Sequence, residues 1–190
     1  MHFRFGVLLI ALGACRSQPH SERVAKLAVD AATGDSIARY NLGVEFYRGD
    51  SIKRDYSKAA ALWKQAMEQG SVDATNNYAY LLYYGLGVSR DQRRAVGLWR
   101  KAAGLGQVES HFHLGYAALE GGGTGRDTTE AVAHFRVAVA AGNRSKDSLN
   151  NLIAEDARKA LEELRQGSWD RARADSLTQT YEIVQRTRRS

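Results

Sequence analysis

Small and apolar side chains recur along most of the chain at spacings of three and four residues, which is the pattern of amphipathic α-helices. In the stretch from Ala38 to Gly70 they form two such runs, separated by a polar loop of six residues. Gly49 follows the first run and Asp55 precedes the second, so we expect two helices with a glycine stop and an aspartate cap. The single proline, Pro19, precedes this stretch, so the rest of the chain can be almost wholly helical.

This pair of runs repeats every 36 residues without a gap. The positions that keep the step are glycines, a capping aspartate, an alanine and an aromatic residue: Gly34, Gly70, Gly106 and Gly142; Gly49, Gly85 and Gly121; Asp55, Asp91 and Asp127; Ala59, Ala95 and Ala131; Trp63, Trp99 and Phe135. A fixed period of this size is typical of helical arrays, in which each unit buries its apolar face against its neighbours. The first helices are expected over about 36–48, 72–84 and 108–120, with close helix contacts at Gly43, Ala79 and Gly115.

Three motifs of this unit, A-x-Y-N-L-G, G-x-x-[IV]-x-x-D and K-A-x-x-x-W-x-x-A-x-x-x-G, closely resemble the Sel-one-like repeat, a relative of the tetratricopeptide repeat. The resemblance covers about Ala38 to Gly142 in three tandem copies. It implies an all-α fold, a right-handed α-solenoid of antiparallel helix pairs with terminal capping helices. Ser110, Ala118 and His134 depart from the pattern in the third copy, and we expect looser packing towards that end.

The repeats divide the chain into a signal peptide (1–14), a tether (15–21), an N-terminal capping helix (22–34), three repeats (35–70, 71–106 and 107–142) and C-terminal capping helices (143–190). In the last segment, the pattern predicts one helix from about 148 to 165 and another from about 168 to 186. The face of the last helix towards the array is predicted to hold Trp169, Ala172, Leu177, Tyr181 and Val184.

The N-terminus has a short basic start, an apolar run from Phe5 to Leu12, and small residues before Cys15. This is the shape of a secretory signal, and Leu12-Gly13-Ala14-Cys15 resembles the bacterial lipobox, which implies lipid attachment at Cys15. The alternative is a plain cleaved signal that happens to contain a cysteine. The first interpretation implies a lipid-anchored protein on the periplasmic side of the bacterial envelope, and Arg16 favours the outer membrane where the host has one.

No pattern in the chain requires catalysis, a metal or a cofactor, so we expect no enzyme and no cofactor. His111 and His113 point to different sides of one helix, and His134 is interpreted as a core or interface residue. The run Gly121–Gly125 lacks the Gly-Lys-Ser/Thr ending of a phosphate-binding loop and aligns with an ordinary repeat loop. The net charge of +6 includes a basic C-terminus, but no basic stripe carries stacking aromatics, so nucleic-acid binding is not expected.

The resemblance implies that the first helices line a concave surface. The positions expected to face it are Tyr40, Asn41, Val44, Arg48, Asn76, Asn77, Tyr80, Tyr84, Phe112, His113, Tyr116 and Glu120. Amides and tyrosines there suit the backbone and side chains of an extended peptide, which favours an adaptor or scaffold that binds another envelope protein or peptide. The alternative for single residues is a packing role. The alternatives for the protein are an enzyme or auxiliary protein for cell-wall fragments (peptidoglycan or beta-lactam-like), by analogy with envelope relatives, or a purely structural lipoprotein.

Overall fold

The computed structural model describes residues 20–187, and these contain nine α-helices. The predicted signal peptide and Cys15 lie outside the described residues. The helices are α1 (His20–Ala32), α2 (Ser36–Arg48), α3 (Tyr56–Glu68), α4 (Val72–Tyr84), α5 (Gln92–Gly104), α6 (Val108–Glu120), α7 (Thr128–Arg144), α8 (Ser148–Leu164) and α9 (Arg171–Thr187). From α1 to α8 each helix packs against the next, which confirms the predicted all-helical solenoid.

The predicted aspartate caps are present in all three units. One carboxylate oxygen of Asp55, Asp91 and Asp127 accepts a hydrogen bond of 3.0 Å from the backbone N–H three residues further on. This bond satisfies one of the free N–H groups in the first turn of α3, α5 and α7. The loop before each aspartate begins at a glycine, and Gly49 has a φ of +77° that ends α2 in the left-handed region. Local chemistry therefore sets both ends of the loop.

Each unit is held together by an aromatic ring from its second helix. Trp63, Trp99 and Phe135 are 2%, 1% and 0% exposed. Gly43 and Gly115 lie against Trp63 and Phe135 so closely that an added Cβ would collide with ring atoms, as expected for close helix contacts. Both indole N–H groups also donate to a backbone carbonyl of the first helix, at 3.0 Å for Trp63 and 3.2 Å for Trp99. The ring therefore ties the two helices of its unit.

The expectation of looser packing in the third unit is wrong. Ser110, Ala118 and His134 are only 0%, 3% and 2% exposed. The Ser110 hydroxyl donates a 2.8 Å hydrogen bond to the side-chain oxygen of Asn76 in the preceding unit. The departures from the repeat pattern are therefore well-packed residues that make contacts of their own.

The third unit differs at its end, because α7 does not stop at Gly142 but continues to Arg144. Gly142 is buried inside the helix, where an added Cβ would lie 2.5 Å from the carbonyl oxygen of Asn150 and 2.6 Å from the Cβ of Ala154. Both neighbours belong to α8. The glycine at this position therefore permits close contact between two helices, whereas Gly70 and Gly106 have positive φ angles of +93° and +90° after their helices.

The last two helices cover the array in different ways. α8 packs against α7 and α6, and α9 returns to lie along α7 and reach α5. On α9, Ala174 and Gln185 are buried (0% and 5% exposed), whereas Ala172 is exposed. The predicted inward position of Ala172 is therefore wrong. The buried face of α9 contains the polar Gln185, so the pattern of apolar residues did not identify which side of this helix is buried.

Candidate binding groove

Three adjoining cavities follow the first helices of the units, α2, α4 and α6. Their volumes are about 430, 400 and 270 Å³. The first and second share Tyr80 and His113, and the second and third share Asn77 and Glu109. Because neighbouring cavities share walls, they form one continuous depression, which we call the groove. It extends from the N-terminal ends of α4 and α6 to their C-terminal ends, and Leu149 of α8 forms part of its wall.

The groove brings together most of the residues predicted for the concave surface. Ten of the twelve line one or more of the three cavities: Tyr40, Val44, Arg48, Asn77, Tyr80, Tyr84, Phe112, His113, Tyr116 and Glu120. Asn41 is exposed and lines none of the three. Asn76 is 1% exposed and lies inside the array.

Asn76 connects two units instead of facing a ligand. Its amide nitrogen donates to a carboxylate oxygen of Glu109 at 2.9 Å, and its amide oxygen accepts from Ser110. A buried amide with both ends satisfied fixes the spacing of α4 and α6. Asn76 is therefore a packing residue in the structure, while Asn77 lines the groove.

The groove wall is a chain of contacting aromatic rings. The Tyr80 ring lies 4.7 Å from that of Tyr84 and 5.5 Å from that of His113, measured between centroids. The His113 imidazole in turn stacks on Trp99 at 4.8 Å. Further on, Tyr116 makes edge contacts with the buried Phe135, at 5.2 Å. Because rings hold each other in place, they offer a rigid surface with little conformational entropy to lose on binding.

Several groove side chains remain open to solvent although they are large and apolar. Tyr84 is 47% exposed, Tyr116 is 37% exposed and Leu149 is 56% exposed. Contiguous exposed apolar surface in a depression is a common sign of a binding site. The arrangement is suited to holding side chains of a partner and contains hydroxyl and amide groups able to bind its backbone.

Carboxylates surround these aromatics. Asp73, Glu109, Glu120 and Asp147 line the three cavities, and among the same lining residues Arg48 is the single lysine or arginine. Of these four, Glu120 was predicted from the sequence, whereas Asp73, Glu109 and Asp147 were not. Asp73 and Glu109 lie in the first turns of α4 and α6, where an acidic residue is expected for helix stability alone, so neither stood out as a candidate binding residue. Asp147 caps α8 and enters the groove only because α8 packs beside α6.

The negative charges of the carboxylates contribute to raised pKa values of the groove tyrosines. The pKa of Tyr40 is raised first by burial and then by the negative charges of Asp73 and Glu109. Burial and then the Glu120 carboxylate raise the pKa of Tyr84. At the far wall, the pKa of Tyr116 is raised by burial and by two acidic residues of α8. The tyrosines are therefore neutral at physiological pH and lie in a negative field.

A second polar cluster lies outside the groove, between α6, α7 and α9. His111 and His134 are each 2% exposed, and their Nδ1 atoms lie 3.1 Å apart. The Nε2 atom of His111 lies 2.7 Å from the amide nitrogen of Gln185, which donates to it. The His134 ring stacks on Tyr181 at 4.4 Å. The pair was missed because His111 and His134 belong to different helices and neither forms a motif.

The histidine cluster has a definite hydrogen-bond order. Because Gln185 donates to His111 Nε2, the proton of neutral His111 lies on Nδ1 and is donated to His134. His134 then carries its proton on Nε2, which makes no hydrogen bond and faces the Glu130 carboxylate at 3.7 Å. Burial and the neighbouring histidine lower the pKa of His111 to about 3, and burial also lowers the pKa of His134.

Within residues 20–187 no group of three or more histidine, cysteine or acidic side chains is placed to hold a metal ion. The same part of the chain has no helix with the length and apolar character needed to cross a membrane. What the described residues do assemble is a preformed groove with aromatic walls and polar groups at its ends.

The sequence profile of the Sel1 repeat family matches three consecutive segments, 36–71, 72–107 and 108–143. These are more than half of the chain. The chain belongs to the Sel1 repeat family. Its three matched repeats contain the helix pairs α2–α3, α4–α5 and α6–α7, so the groove is formed mainly by the first helices of the Sel1 repeats.

Two solved structures show the same fold. A Sel1 repeat protein from Oxalobacter formigenes superposes with a TM-score of 0.66 at 21% identity, over 84% of this chain and 61% of that one. The protein c5321, a protective antigen of uropathogenic Escherichia coli strains, superposes with a TM-score of 0.58 at 24% identity, over 87% of this chain and 42% of that one. The chain thus spans less than two thirds of either protein. No curated protein matched the sequence.

Proposed function

We propose that this Sel1 repeat protein is a lipid-anchored adaptor of the bacterial envelope that binds a peptide or protein segment in the groove. The observation that carries the proposal is the groove itself, a preformed depression with exposed Tyr84, Tyr116 and Leu149 along its wall. Stacked helical repeats present extended concave surfaces that serve for binding. The anchor is proposed from the resemblance of Leu12–Cys15 to a lipobox.

Chemistry is not part of the proposed role. Three of the groove carboxylates, Asp73, Glu109 and Asp147, lie at helix starts, where they stabilise the helix. The buried histidine pair contacts α9 and lines none of the three cavities. The groups that line the groove are aromatic rings, amides, hydroxyls and carboxylates, which suit recognition.

Site-specific photocross-linking in the native envelope tests the proposal. A photoreactive phenylalanine at Tyr84 or Tyr116 is expected to capture one protein, because both side chains are exposed in the groove. The same residue at Ile37 or Val29, which are 72% and 63% exposed but line none of the three cavities, serves as the control. Equal capture from both sets would contradict the groove assignment.

A matched pair of asparagines makes the test sharper. Asn77 lines the groove, and Asn41, its register mate 36 residues earlier, does not. Asn77→Ala combined with Tyr80→Ala is expected to reduce cross-linking at Tyr84 by about tenfold, as for the loss of residues at the centre of an interface. Asn41→Ala should leave the yield unchanged. A product that contains a cell-wall fragment in place of a protein would sink the adaptor hypothesis.

A further inference from the structure

The groove carboxylates make no ion pair with a lysine or arginine among the described residues, whereas many acidic residues elsewhere do. Outside the groove, ion pairs are common: Asp127 pairs with Arg173 at 2.7 Å, and Glu130 pairs with Arg100 at 3.3 Å. In the groove, Glu120 accepts a hydrogen bond from the Tyr83 hydroxyl, and Glu109 accepts one from Asn76. Neither of these partners carries a positive charge; Glu109 also lies 3.6 Å from the Nε2 atom of His113, which is charged only when it is protonated.

The contrast is notable because the whole chain is basic, with a formal charge of +6. Four carboxylates that lack a lysine or arginine partner concentrate negative potential in the groove. Coulombic effects from Asp73 and Glu109 on Tyr40, and from Glu120 on Tyr84, are consistent with such a field and raise the pKa of both phenols after burial.

Two of the carboxylates lie at opposite ends of the groove on the same helix. Glu109 is in the first turn of α6, and Glu120 is its last residue. A separation of eleven residues is about three turns, so the two carboxylates lie on one face of α6 and about 16 Å apart along it.

Each end also offers aromatic faces. Tyr40 lines the cavity that contains Glu109, and Tyr84 and Tyr116 line the one that contains Glu120. A carboxylate together with a tyrosine face binds an ammonium or guanidinium group through an ion pair and a cation–π contact. Glu109 and Tyr40 also line the middle cavity, where Val44 and Leu149 add apolar surface and Arg48 adds one positive charge.

We propose that the groove takes an extended segment of a partner protein with two basic side chains four residues apart. Side chains at this spacing share one face of an extended chain and lie about 13 Å apart, and the length of lysine and arginine side chains covers the rest of the distance between Glu109 and Glu120. The basic side chains lie near Glu109 and Glu120, and an apolar stretch between them contacts Tyr80 and Leu149. This assignment rests on the proposed function and adds the chemistry of the partner.

Binding of defined peptides to the full-length chain, measured by fluorescence anisotropy, tests the assignment. The main probe is a nine-residue peptide with lysine at positions 2 and 6 and serine and leucine elsewhere. Matched peptides carry glutamine or glutamate at both positions, and a fourth carries its two lysines at positions 4 and 5. We expect the main probe to bind at least tenfold more tightly than the glutamine and glutamate peptides, and more tightly than the fourth peptide. Increased ionic strength should reduce the difference.

Variants of the protein locate the effect. Glu109→Gln with Glu120→Gln removes both charges but keeps oxygen acceptors for Asn76 and Tyr83. The double variant is expected to lose roughly three- to tenfold in affinity for the main probe, in keeping with partly exposed ion pairs. Glu68→Gln is the matched control, because Glu68 is an exposed carboxylate on α3 outside the three cavities.

The possible results separate this inference from the proposed function. Equal binding of the lysine and glutamine peptides, or tighter binding of the glutamate peptide, overturns the basic segment. So does unchanged affinity in the double glutamate variant, and so does a failure of all four peptides to bind. The photocross-linking experiment decides the proposed function independently, because it does not depend on the charge of the partner.

Discussion

Lowering the pH from 7.5 to 5 is expected to destabilise the protein through its buried histidine pair. The pKa of His111 is lowered to about 3 by burial and by His134, against about 6.5 in an unfolded chain. The folded state therefore binds fewer protons than the unfolded state in this range, and its stability falls as the pH falls through 6.5. At pH 5 this one group reduces the free energy of unfolding by about 2 kcal/mol.

The surroundings of the pair strengthen the effect. Burial lowers the pKa of His134, and the positive charge of Arg100 acts in the same direction, although Glu130 opposes it. Tyr181 stacks on the His134 ring and stays neutral, because burial and Glu130 raise its pKa to about 12. The pKa of the Glu130 carboxyl is held at about 2, chiefly by His134, so its own contribution is lost only below about pH 4.5.

Urea denaturation followed by circular dichroism at pH 7.5, 6 and 5 measures the effect. His111→Gln keeps a neutral hydrogen-bonding group beside Gln185 but removes the titration, so its free energy of unfolding should depend less on pH. The expected difference in pH response from the wild type is about 2 kcal/mol between pH 7.5 and 5. The variant is judged by this slope and not by its absolute stability, which also reflects packing. Equal slopes in the two proteins would refute the assignment of His111 as a buried neutral base.

Two further predictions concern the helix contacts and the anchor. Gly142→Ala should lower the free energy of unfolding by about 1–3 kcal/mol, because the new Cβ collides with α8. Gly97→Ala on α5, where a Cβ meets open space, should instead raise it by up to ~1 kcal/mol, and urea denaturation compares the two. Cys15→Ser should abolish incorporation of labelled fatty acid and release the protein from membranes. Label that still enters this variant would rule out the lipobox.

Much of the fold follows from sequence because the repeat is built from local chemistry. The aspartate caps, the glycine stops and the small residue opposite an aromatic ring each act within one unit, so three copies in phase predicted them together. The helices α2, α4 and α6 accordingly begin and end at the predicted residues. Most of the groove residues could also be predicted from the sequence, because side chains three and four residues apart share a helix face.

The contacts that depend on neighbouring units were harder to predict. Asn76 and Asn77 are adjacent asparagines, and their periodicity does not say which one faces inward. The choice is made by Glu109 and Ser110 of the next unit, which satisfy both ends of the Asn76 amide. The position of Leu149 in the groove wall was equally hard to predict, because it depends on how α8 packs against α6, and α8 lies beyond the last repeat.

The third unit shows why departures from a repeat pattern need not mean decay. His134 occupies the position of Leu62 and Leu98, but the surface that covers it is the polar face of α9, with Gln185 and Tyr181. A leucine there would leave His111 without its hydrogen-bond partner on α7, at a cost of about 1–3 kcal/mol for an unsatisfied buried group. Gly142 likewise serves contact with α8 instead of a helix stop. The histidine at position 134 and the changed role of the glycine at position 142 therefore both suit the two capping helices, which replace the next repeat with surfaces of different shape and polarity.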